Sequence, residues 1–154
     1  MQIFDAIRSG QLSQVEQILN DDPKQVHLSD PRGFSPLVLA TYLGHLAISN
    51  LLLKSGAAVN RQDGAGNTAL MGVCFKGDMP HIELLVNHGA DLNIQNKQGA
   101  TALIFALQFG QEKAGQYLIE KGADISIVDG QGNRALNYAQ DKYLKNIIPL
   151  LENG

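Results

Sequence analysis

The stretch that decides the fold is DGAGNTALMGVCFKGDMPHIELLVNHGADLNIQ, residues 63–95. Moved by 33 residues in either direction, this stretch meets a copy of its own pattern. The positions that recur at this spacing are Gly33, Gly66, Gly99 and Gly132; Leu37, Leu70, Leu103 and Leu136; and Gly56, Gly89 and Gly122, each followed by Ala. A fixed period of this length is typical of stacked repeats, in which neighbouring units supply each other's core. The period therefore predicts a repeat array whose general function is binding.

The composition fits one globular domain and disfavours several functions. Hydrophobic residues make up 44% of the 154-residue chain and charged residues 18%, a balance typical of folded proteins. The net charge is -3, whereas nucleic-acid-binding domains are usually basic, so we expect no nucleic-acid partner. The single cysteine, Cys74, excludes an internal disulfide and leaves no ligand set for a structural zinc ion.

The N-terminal residues do not resemble a targeting signal. Residues 1–8 lack a basic start, a long apolar run and a small-residue cleavage site, so we do not expect a signal peptide. No apolar run approaches the roughly 18 residues of a membrane span. We therefore expect a cytoplasmic protein with no membrane partner.

The period divides the chain into five units of one domain. The first unit predicts two short amphipathic helices within residues 3–19, without a turn sequence before them, and this suits an end cap. The last unit loses its pattern after Gln140 and turns polar, which suits a second cap. The predicted units are an N-terminal cap at 1–29, full repeats at 30–62, 63–95 and 96–128, and a C-terminal cap at 129–154.

Each full repeat carries signals for a helix, a break and a second helix. In the first repeat, Ser35 is a helix cap and Pro36 fits the first helical position. Gly44 ends this helix because glycine accepts a positive φ. A second helix is predicted over residues 46–54, and residues 57–60 are expected to run extended toward the next turn.

Prolines fall at three informative places. Pro23 is expected to stop the second helix of the first unit, because proline disfavours a helical conformation in the residue before it. Pro80 fits the first turn of a helix that Asp78 caps, since the backbone N–H groups there have no helical partner. Pro149 predicts a kink or a late start in the final helix.

This pattern resembles the ankyrin-repeat family, in which a β-turn finger and two antiparallel helices make each unit. The resemblance is carried by Asp63, Gly66, Thr68-Ala69-Leu70, Gly77, Leu84-Leu85 and Gly89-Ala90-Asp91-Leu92-Asn93, with counterparts in register along essentially the whole chain. It implies an all-α fold, an α-solenoid of helix-turn-helix units with β-turn fingers. It also implies a concave side, lined by finger tips and first helices, that binds other proteins without catalysis.

The chain departs from the family beside the first-helix leucine, where the family often has Pro and His. The residues before it are Pro36, Ala69, Ala102 and Ala135, and those after it are Val38, Met71, Ile104 and Asn137. The hydrogen bonds between repeats that such a histidine makes are therefore not expected here. Apolar packing is expected to replace them.

The offset of each residue within its repeat predicts which side chains line the concave side. Finger tips and the exposed ends of the first helices give Pro31, Arg32, Phe34, Tyr42, Leu43, Asn67, Phe75, Lys76, Lys97, Gln98, Gln108, Phe109, Gln131, Asn133 and Asp141. All of these except Pro31 form our predicted partner-binding set. Arg32, Lys76 and Lys97 make this side slightly basic, which favours an acidic partner surface or serves solubility alone.

Four aromatic residues on this side, Phe34, Tyr42, Phe75 and Phe109, lie where the fold does not require them. Aromatic side chains so placed are typical anchors of binding hot spots. The alternative is that they merely pack against the finger or helix of an adjacent repeat.

Several patterns that suggest chemistry have simpler explanations. Glycines of the finger turns at 64–69 and 130–135 mimic a dinucleotide-binding fingerprint, but both copies follow the repeat period and lack a preceding parallel strand. His81 and His88 share a helix face without an acidic or cysteine partner for a metal. Cys74 is expected to be a small buried packing residue. We therefore predict no metal, no cofactor and no catalytic residues.

Three hypotheses for function follow. The first is a monomeric protein-interaction module without chemistry of its own. The second is an accessory factor that inhibits, protects or supports one enzyme. It rests on a resemblance to small single-domain bacterial ankyrin proteins with a similar Thr-Ala-Leu-Met run before Phe75-Lys76-Gly77, some of which occur beside catalase genes. The third, a small-molecule enzyme, rests only on Cys74 and scattered histidines.

Overall fold

The computed structural model describes residues 2–152, and within that range every regular element is helical. The α-helices are α1 (Ile3–Arg8), α2 (Leu12–Asp21), α3 (Pro36–Tyr42), α4 (Leu46–Lys54), α5 (Ala69–Lys76), α6 (Met79–Asn87), α7 (Ala102–Gln108), α8 (Glu112–Glu120), α9 (Ala135–Asp141) and α10 (Ile148–Glu152). Each odd-numbered helix packs against the even-numbered helix that follows it, and α3, α5, α7 and α9 pack side by side in sequence order. The predicted all-α solenoid is confirmed, whereas the exact unit boundaries stay a prediction.

The helices begin and end where the sequence predicts. The hydroxyl of Ser35 accepts a hydrogen bond from the backbone N of Val38 at 3.1 Å, and the corresponding threonines, Thr68 and Thr101, cap α5 and α7 in the same way. Asp78 caps α6 ahead of Pro80, as expected. Pro149 lies in the first turn of α10, so the predicted late start is confirmed.

The core runs through the whole array between the two layers of helices. Leu37, Leu70 and Leu103, the recurring leucines, are each 1% exposed, and the small residues Ala40 and Val73 are fully buried beside them. Leu136, which shares the leucine register, is only half-buried because it lies in the last unit, where no further helix pair covers it.

Four finger turns share one hydrogen-bonding scheme. In each, a side-chain oxygen of Asp30, Asp63, Asn96 or Asp129 accepts from the backbone N–H groups two and four residues later. Burial disfavours the charge on Asp30, but the N–H groups of Phe34 and Arg32 and the Arg32 guanidinium lower the pKa of this carboxyl below its ordinary value. The recurring carboxylates are therefore turn residues.

Loop amides connect neighbouring repeats. The Oδ1 atoms of Asn60 and Asn93 accept from backbone N atoms one repeat later, both at 2.8 Å. The Nε2 atoms of Gln62 and Gln95 donate to the carbonyl of the next repeat at 3.2 Å. The sequence analysis did not predict this inter-repeat ladder of loop amides, which joins the repeats in addition to their apolar packing.

Two local predictions also need correction. Residues 57–60 are not extended throughout, since the chain turns at 59–60 and Arg61 N donates to Ala58 O at 3.3 Å. A 3₁₀ helix (Pro23–His27), which the sequence analysis did not predict, follows α2 and begins with the Asp22 side chain accepting from Lys24 N. Proline fits the first position of this 3₁₀ helix because the backbone N–H that it lacks would have no helical partner there.

Candidate functional site

The candidate site lies on the surface formed by the fingers and by the outward sides of α3, α5, α7 and α9, here called the first-helix surface. It contains two pockets. One lies between the first two fingers and has a volume of about 250 Å³. The other lies between the last two fingers and has a volume of about 300 Å³.

The first pocket, here called the apolar pocket, is lined mostly by hydrocarbon. Its lining residues are Phe34, Val38, Thr41, Tyr42, Asp63, Asn67, Thr68, Ala69, Met71, Gly72, Phe75 and Phe105. Four of the predicted site residues, Phe34, Tyr42, Asn67 and Phe75, are among them. The sequence analysis missed Phe105, whose half-buried ring forms one wall, and Gly72, which leaves the space open.

The aromatic residues of this surface contact each other and stay partly exposed. Phe75 and Phe109, from adjacent repeats, meet edge to face with ring centroids 4.5 Å apart. Phe109 also stacks on Phe105 at 6.1 Å, and Phe34 lies 6.4 Å from Tyr42. Tyr42 is nevertheless 54% exposed, and Phe75 and Phe109 are each 45% exposed. The rings thus pack against one another without sealing the surface, and their role as binding anchors stays a prediction.

Two cations lie beside the apolar pocket. The guanidinium of Arg32 lies 4.5 Å from the centre of the Phe34 ring, and Lys76 Nζ lies 4.6 Å from the centre of the Tyr42 ring. Arg32 is 3.5 Å from the buried carboxylate of Asp30, and Lys76 Nζ donates to the Tyr42 carbonyl. The aromatic faces hold both cations at the rim of the pocket.

Gly72 leaves the pocket open because it has no side chain, whereas the other repeats have a large residue at the corresponding position. That position is Leu39 in the repeat before, Phe105 in the repeat after and Tyr138 in the last unit. A β-carbon on Gly72 would have no atom within 4 Å. Comparing each repeat with its neighbours for missing side chains would have found this residue from the sequence.

The second pocket, here called the polar pocket, is lined by Gln98, Ala100, Gln108, Asp129, Gly130, Gln131 and Tyr138. The Tyr138 hydroxyl donates to Asp129 Oδ2. Burial disfavours the Asp129 charge, yet the bonds from Tyr138 and from two backbone N–H groups lower the pKa of Asp129. Burial and the bond to Asp129 raise the pKa of Tyr138. Gln98, Gln108 and Gln131 are the predicted site residues here.

The other predicted residues line neither pocket. Leu43 and Phe109 cap the ends of α3 and α7, and Asp141 lies at the exposed end of α9. Lys97 has an exposed side chain, while its backbone N donates to Ala65 O in the preceding finger at 3.1 Å.

Asn133 and the two cations complete the predicted partner-binding set, and Pro31 was predicted only to line the same side. Asn133 donates its backbone N–H to Asp129 within the last finger. Pro31 is exposed near Arg8 of the first unit. Arg32 and Lys76 lie at the rim of the apolar pocket, as described above.

Comparison with known proteins agrees with this architecture. A family model described as ankyrin repeats (three copies) matches residues 3–96, 48–129 and 70–154. The chain belongs to the ankyrin-repeat family. Ankyrin repeats generally mediate binding between proteins, and the family is typically non-catalytic.

Individual relatives match a smaller part of the chain. It is similar to the protein named ankyrin repeat and SAM domain-containing protein 6, with 38% identity over 61 residues in Mus musculus and 36% over 61 residues in Danio rerio. These matches cover 40% of the chain but only 7% and 8% of the two relatives. The likeness concerns the repeats, since the chain spans a small fraction of the length of these proteins.

The ankyrin fingers account for the glycine pairs that mimic a dinucleotide fingerprint. Gly130 N donates to Gln98 O of the preceding finger at 2.8 Å, and a β-carbon on Gly130 would lie 2.9 Å from that oxygen. Gly66 has a φ of 83° and would bring a β-carbon 2.8 Å from Lys97 N. Glycine allows the fingers to approach closely, and no strand precedes either motif within residues 2–152.

One buried hydrogen-bonded chain joins a serine, a histidine and an aspartate that the sequence analysis did not connect. His81 Nδ1 lies 2.7 Å from Asp78 Oδ2, and His81 Nε2 lies 3.1 Å from Ser49 Oγ on α4. Ser49 and His81 are 0% and 1% exposed, and the serine hydroxyl lies 2.8 Å from His45 O, to which it donates. Because Ser49 is fully buried, no substrate reaches its hydroxyl. The role of these hydrogen bonds is to join helix α4 to helix α6.

The other residues that the sequence analysis considered for chemistry are His88 and Cys74. His81 is buried on α6, whereas His88 is exposed and follows the helix, whose last residue is Asn87. No group of three potential metal ligands occurs within residues 2–152. Cys74 is buried as expected, and burial raises the pKa of its thiol above the ordinary value. In the same range, no helix has the length and apolarity to cross a membrane.

Proposed function

We propose that this ankyrin array is a protein-interaction module that binds one protein partner through its first-helix surface, the side that the family resemblance predicts to be concave. The observation that carries the proposal is the apolar pocket, open between half-exposed aromatic rings. An exposed apolar recess costs solubility, and on monomeric proteins such patches often mark an interaction site. Aromatic residues also dominate the binding energy of protein interfaces.

The predicted partner-binding residues form part of this proposal. Phe34, Tyr42, Phe75 and Phe109 would supply the apolar contact, because their exposed ring edges surround or adjoin the pocket. The glutamines of the polar pocket would add hydrogen bonds at the other end of the surface. A cytoplasmic location and a monomeric state in solution also belong to the proposal, and size-exclusion chromatography with light scattering tests the latter.

The test compares two matched double variants. Phe75→Ala/Phe109→Ala removes exposed apolar area from the first-helix surface, and Leu12→Ala/Leu46→Ala removes area from helices α2 and α4, where these leucines are 41% and 42% exposed. A partner is captured from an extract with the wild-type protein, identified by mass spectrometry and titrated as a pure protein against each variant. Circular dichroism confirms that both variants fold.

We expect the phenylalanine variant to lose roughly tenfold or more in affinity, because truncated aromatic hot spots cost at least that much. The leucine variant is expected to bind as the wild type does. If the leucine variant lost affinity and the phenylalanine variant did not, the binding site would lie on the side formed by α2 and α4.

A narrower form of the function is an accessory factor of one enzyme, such as a bacterial catalase-associated protein. It rests on the resemblance of the run from Thr68 to Met71, ahead of Phe75-Lys76-Gly77, to small bacterial ankyrin proteins. Assaying the captured partner for catalase activity, with and without the ankyrin protein, separates this form from the general one.

A further inference from the structure

Two glycines lie inside helices of this array, and only one of them has a packing reason. A β-carbon on Gly115 of α8 would lie 2.6 Å from Leu107 Cδ2 and 2.7 Å from Ile147 Cδ1, so close packing explains that glycine. Gly72 lies in the middle of α5, has no positive φ, and would place a β-carbon in open space. Glycine in a helix interior lowers stability relative to alanine. Its presence at position 72 therefore favours a role outside folding.

The space that Gly72 leaves has the size and lining for one large apolar side chain. The pocket holds about 250 Å³ and is walled by Val38, Met71 and Phe105. An apolar protein cavity of about 150 Å³ holds one benzene molecule. The pocket thus accepts a phenyl ring or a branched aliphatic chain with its first methylene groups.

The charges at the rim define what accompanies that side chain. The ammonium group of Lys76 has no carboxylate within ion-pair distance in residues 2–152, and Arg32 extends past the Phe34 ring with its side chain 61% exposed. The one carboxylate that lines the pocket is Asp63, whose Oδ1 accepts from two backbone N–H groups of its own finger. Arg32 already lies 3.5 Å from the buried Asp30 carboxylate, so the rim attracts an anion chiefly through Lys76 and only secondarily through the exposed side of Arg32.

We propose that the pocket at Gly72 receives one aromatic or large aliphatic side chain of a protein partner, and that an acidic residue beside it in the partner pairs with Arg32 or Lys76. This inference rests on the proposed function and specifies its ligand chemistry. The apolar side chain supplies the affinity, and the neighbouring carboxylate selects among apolar segments by charge.

The experiment uses a displayed library of random short peptides as the probe. The library is selected in parallel on the wild-type protein, on Gly72→Leu, which fills the pocket, and on Gly72→Ala, which fills it partly. Peptides enriched by the wild type are sequenced and then synthesised for titration against all three proteins. Thermal melting shows whether each variant is folded, and Gly72→Ala keeps the test valid should the leucine not be accommodated.

We expect the enriched peptides to share an aromatic or large aliphatic residue within two positions of an Asp or Glu. Their affinity should fall roughly tenfold to a hundredfold on Gly72→Leu, the loss that corresponds to one apolar side chain left unburied, and less on Gly72→Ala. Equal binding to the wild type and to Gly72→Leu would overturn the proposal. Enriched peptides without the acidic neighbour, or rich in Lys and Arg, would overturn its charge component.

A second pair of variants tests the charges. The double variant Arg32→Gln/Lys76→Gln should bind the selected peptides about twofold to fivefold more weakly for each cation removed. The affinity should also depend less on salt concentration. Lys54→Gln/Lys121→Gln, at exposed positions away from the pocket, should leave both unchanged.

The outcome also distinguishes this inference from the proposed function. Peptides that lose binding to Phe75→Ala/Phe109→Ala but not to Gly72→Leu would sustain binding at the first-helix surface and reject the pocket as the receptor. Peptides insensitive to both changes would reject both proposals.

Discussion

The two pockets of the first-helix surface are built from the same positions of the repeat, 66 residues apart, yet one is apolar and the other polar. The matched pairs are Phe34 and Ala100, Tyr42 and Gln108, Asp63 and Asp129, and Gly72 and Tyr138. The fingers at both places have the same hydrogen-bonding scheme. A few side chains on a shared backbone therefore decide the chemistry of each pocket.

The fourth pair shows how one substitution changes a site. Tyr138 occupies the position of the last unit that corresponds to Gly72, lines the polar pocket and donates its hydroxyl to Asp129. Asp63, the counterpart of Asp129, lies in a pocket with Gly72 at that position and has no such hydroxyl there. The same register position therefore leaves an apolar recess in one repeat and places a half-buried tyrosine–aspartate pair in another.

The largest predicted effect on stability comes from removing a wall of the apolar pocket. Phe105→Ala should lower the free energy of unfolding by about 2 kcal/mol, because Phe105 packs against the core and stacks on Phe109. Urea denaturation measures the change. Phe109→Ala is the control and should cost less, since that ring is 45% exposed. Equal costs would mean that Phe105 contributes no more to the core than an exposed ring.

The variant Tyr138→Phe tests how much the hydrogen bond of the polar pocket contributes to stability. This change removes the hydroxyl that bonds Asp129 and leaves a partly buried carboxylate oxygen without that donor, so we expect a loss of about 1 kcal/mol or somewhat more. Tyr117→Phe on α8 is the control and should be close to neutral. The free energies of both variants follow from urea denaturation, and a neutral Tyr138→Phe would show that the bond adds nothing to stability.

The open space at Gly72 predicts that adding a β-carbon there raises the stability of the fold. Gly72→Ala should raise the free energy of unfolding by about 1 kcal/mol and the melting temperature by roughly 2–4 °C, because alanine stabilises a helix interior and its β-carbon meets no atom. Gly115→Ala should gain less or lose stability, since Leu107 and Ile147 must move. Similar melting temperatures for the two variants would contradict the contrast between these glycines.

The smallest predicted effect is the change of stability with pH. The folded state lowers the pKa of Asp129, so its charge contributes stability above the ordinary pKa of about 4, and this contribution is lost as the pH falls through the lowered value. Asp129→Asn should therefore be less stable than the wild type near neutral pH, and the difference should shrink below about pH 4. Asn96 shows that an amide keeps the two finger hydrogen bonds. Urea denaturation across this pH range measures the difference, and a constant difference would exclude the ionised carboxylate as its source.

The repeat period made most of the fold predictable because it marks residues that every repeat needs. Thr68 and Thr101 cap helices, and Gly44 and Gly77 adopt positive φ, for reasons that act locally and recur. The 3₁₀ helix at Pro23–His27 and the turn at 59–60 were missed because they lie where the period gives no such signal.

The candidate site was less predictable because it depends on departures from the period. The position of each residue within its repeat was enough to place Phe34, Tyr42 and Phe75 on the first-helix surface. The pocket between them, however, exists only because Gly72 lacks a side chain. The bond between Ser49 and His81 likewise joins two positions that are not in register. Such contacts depend on the distance between helices, which spacing along the chain does not give.

The loop ladder of Asn60, Gln62, Asn93 and Gln95 has a consequence for how this protein can change over evolutionary time. None of these four amides lines either pocket, so this ladder is separate from the side chains that shape the recesses. Mutations in the pockets can then accumulate while the ladder stays intact. A lineage can acquire a new binding preference while inheriting the same scaffold.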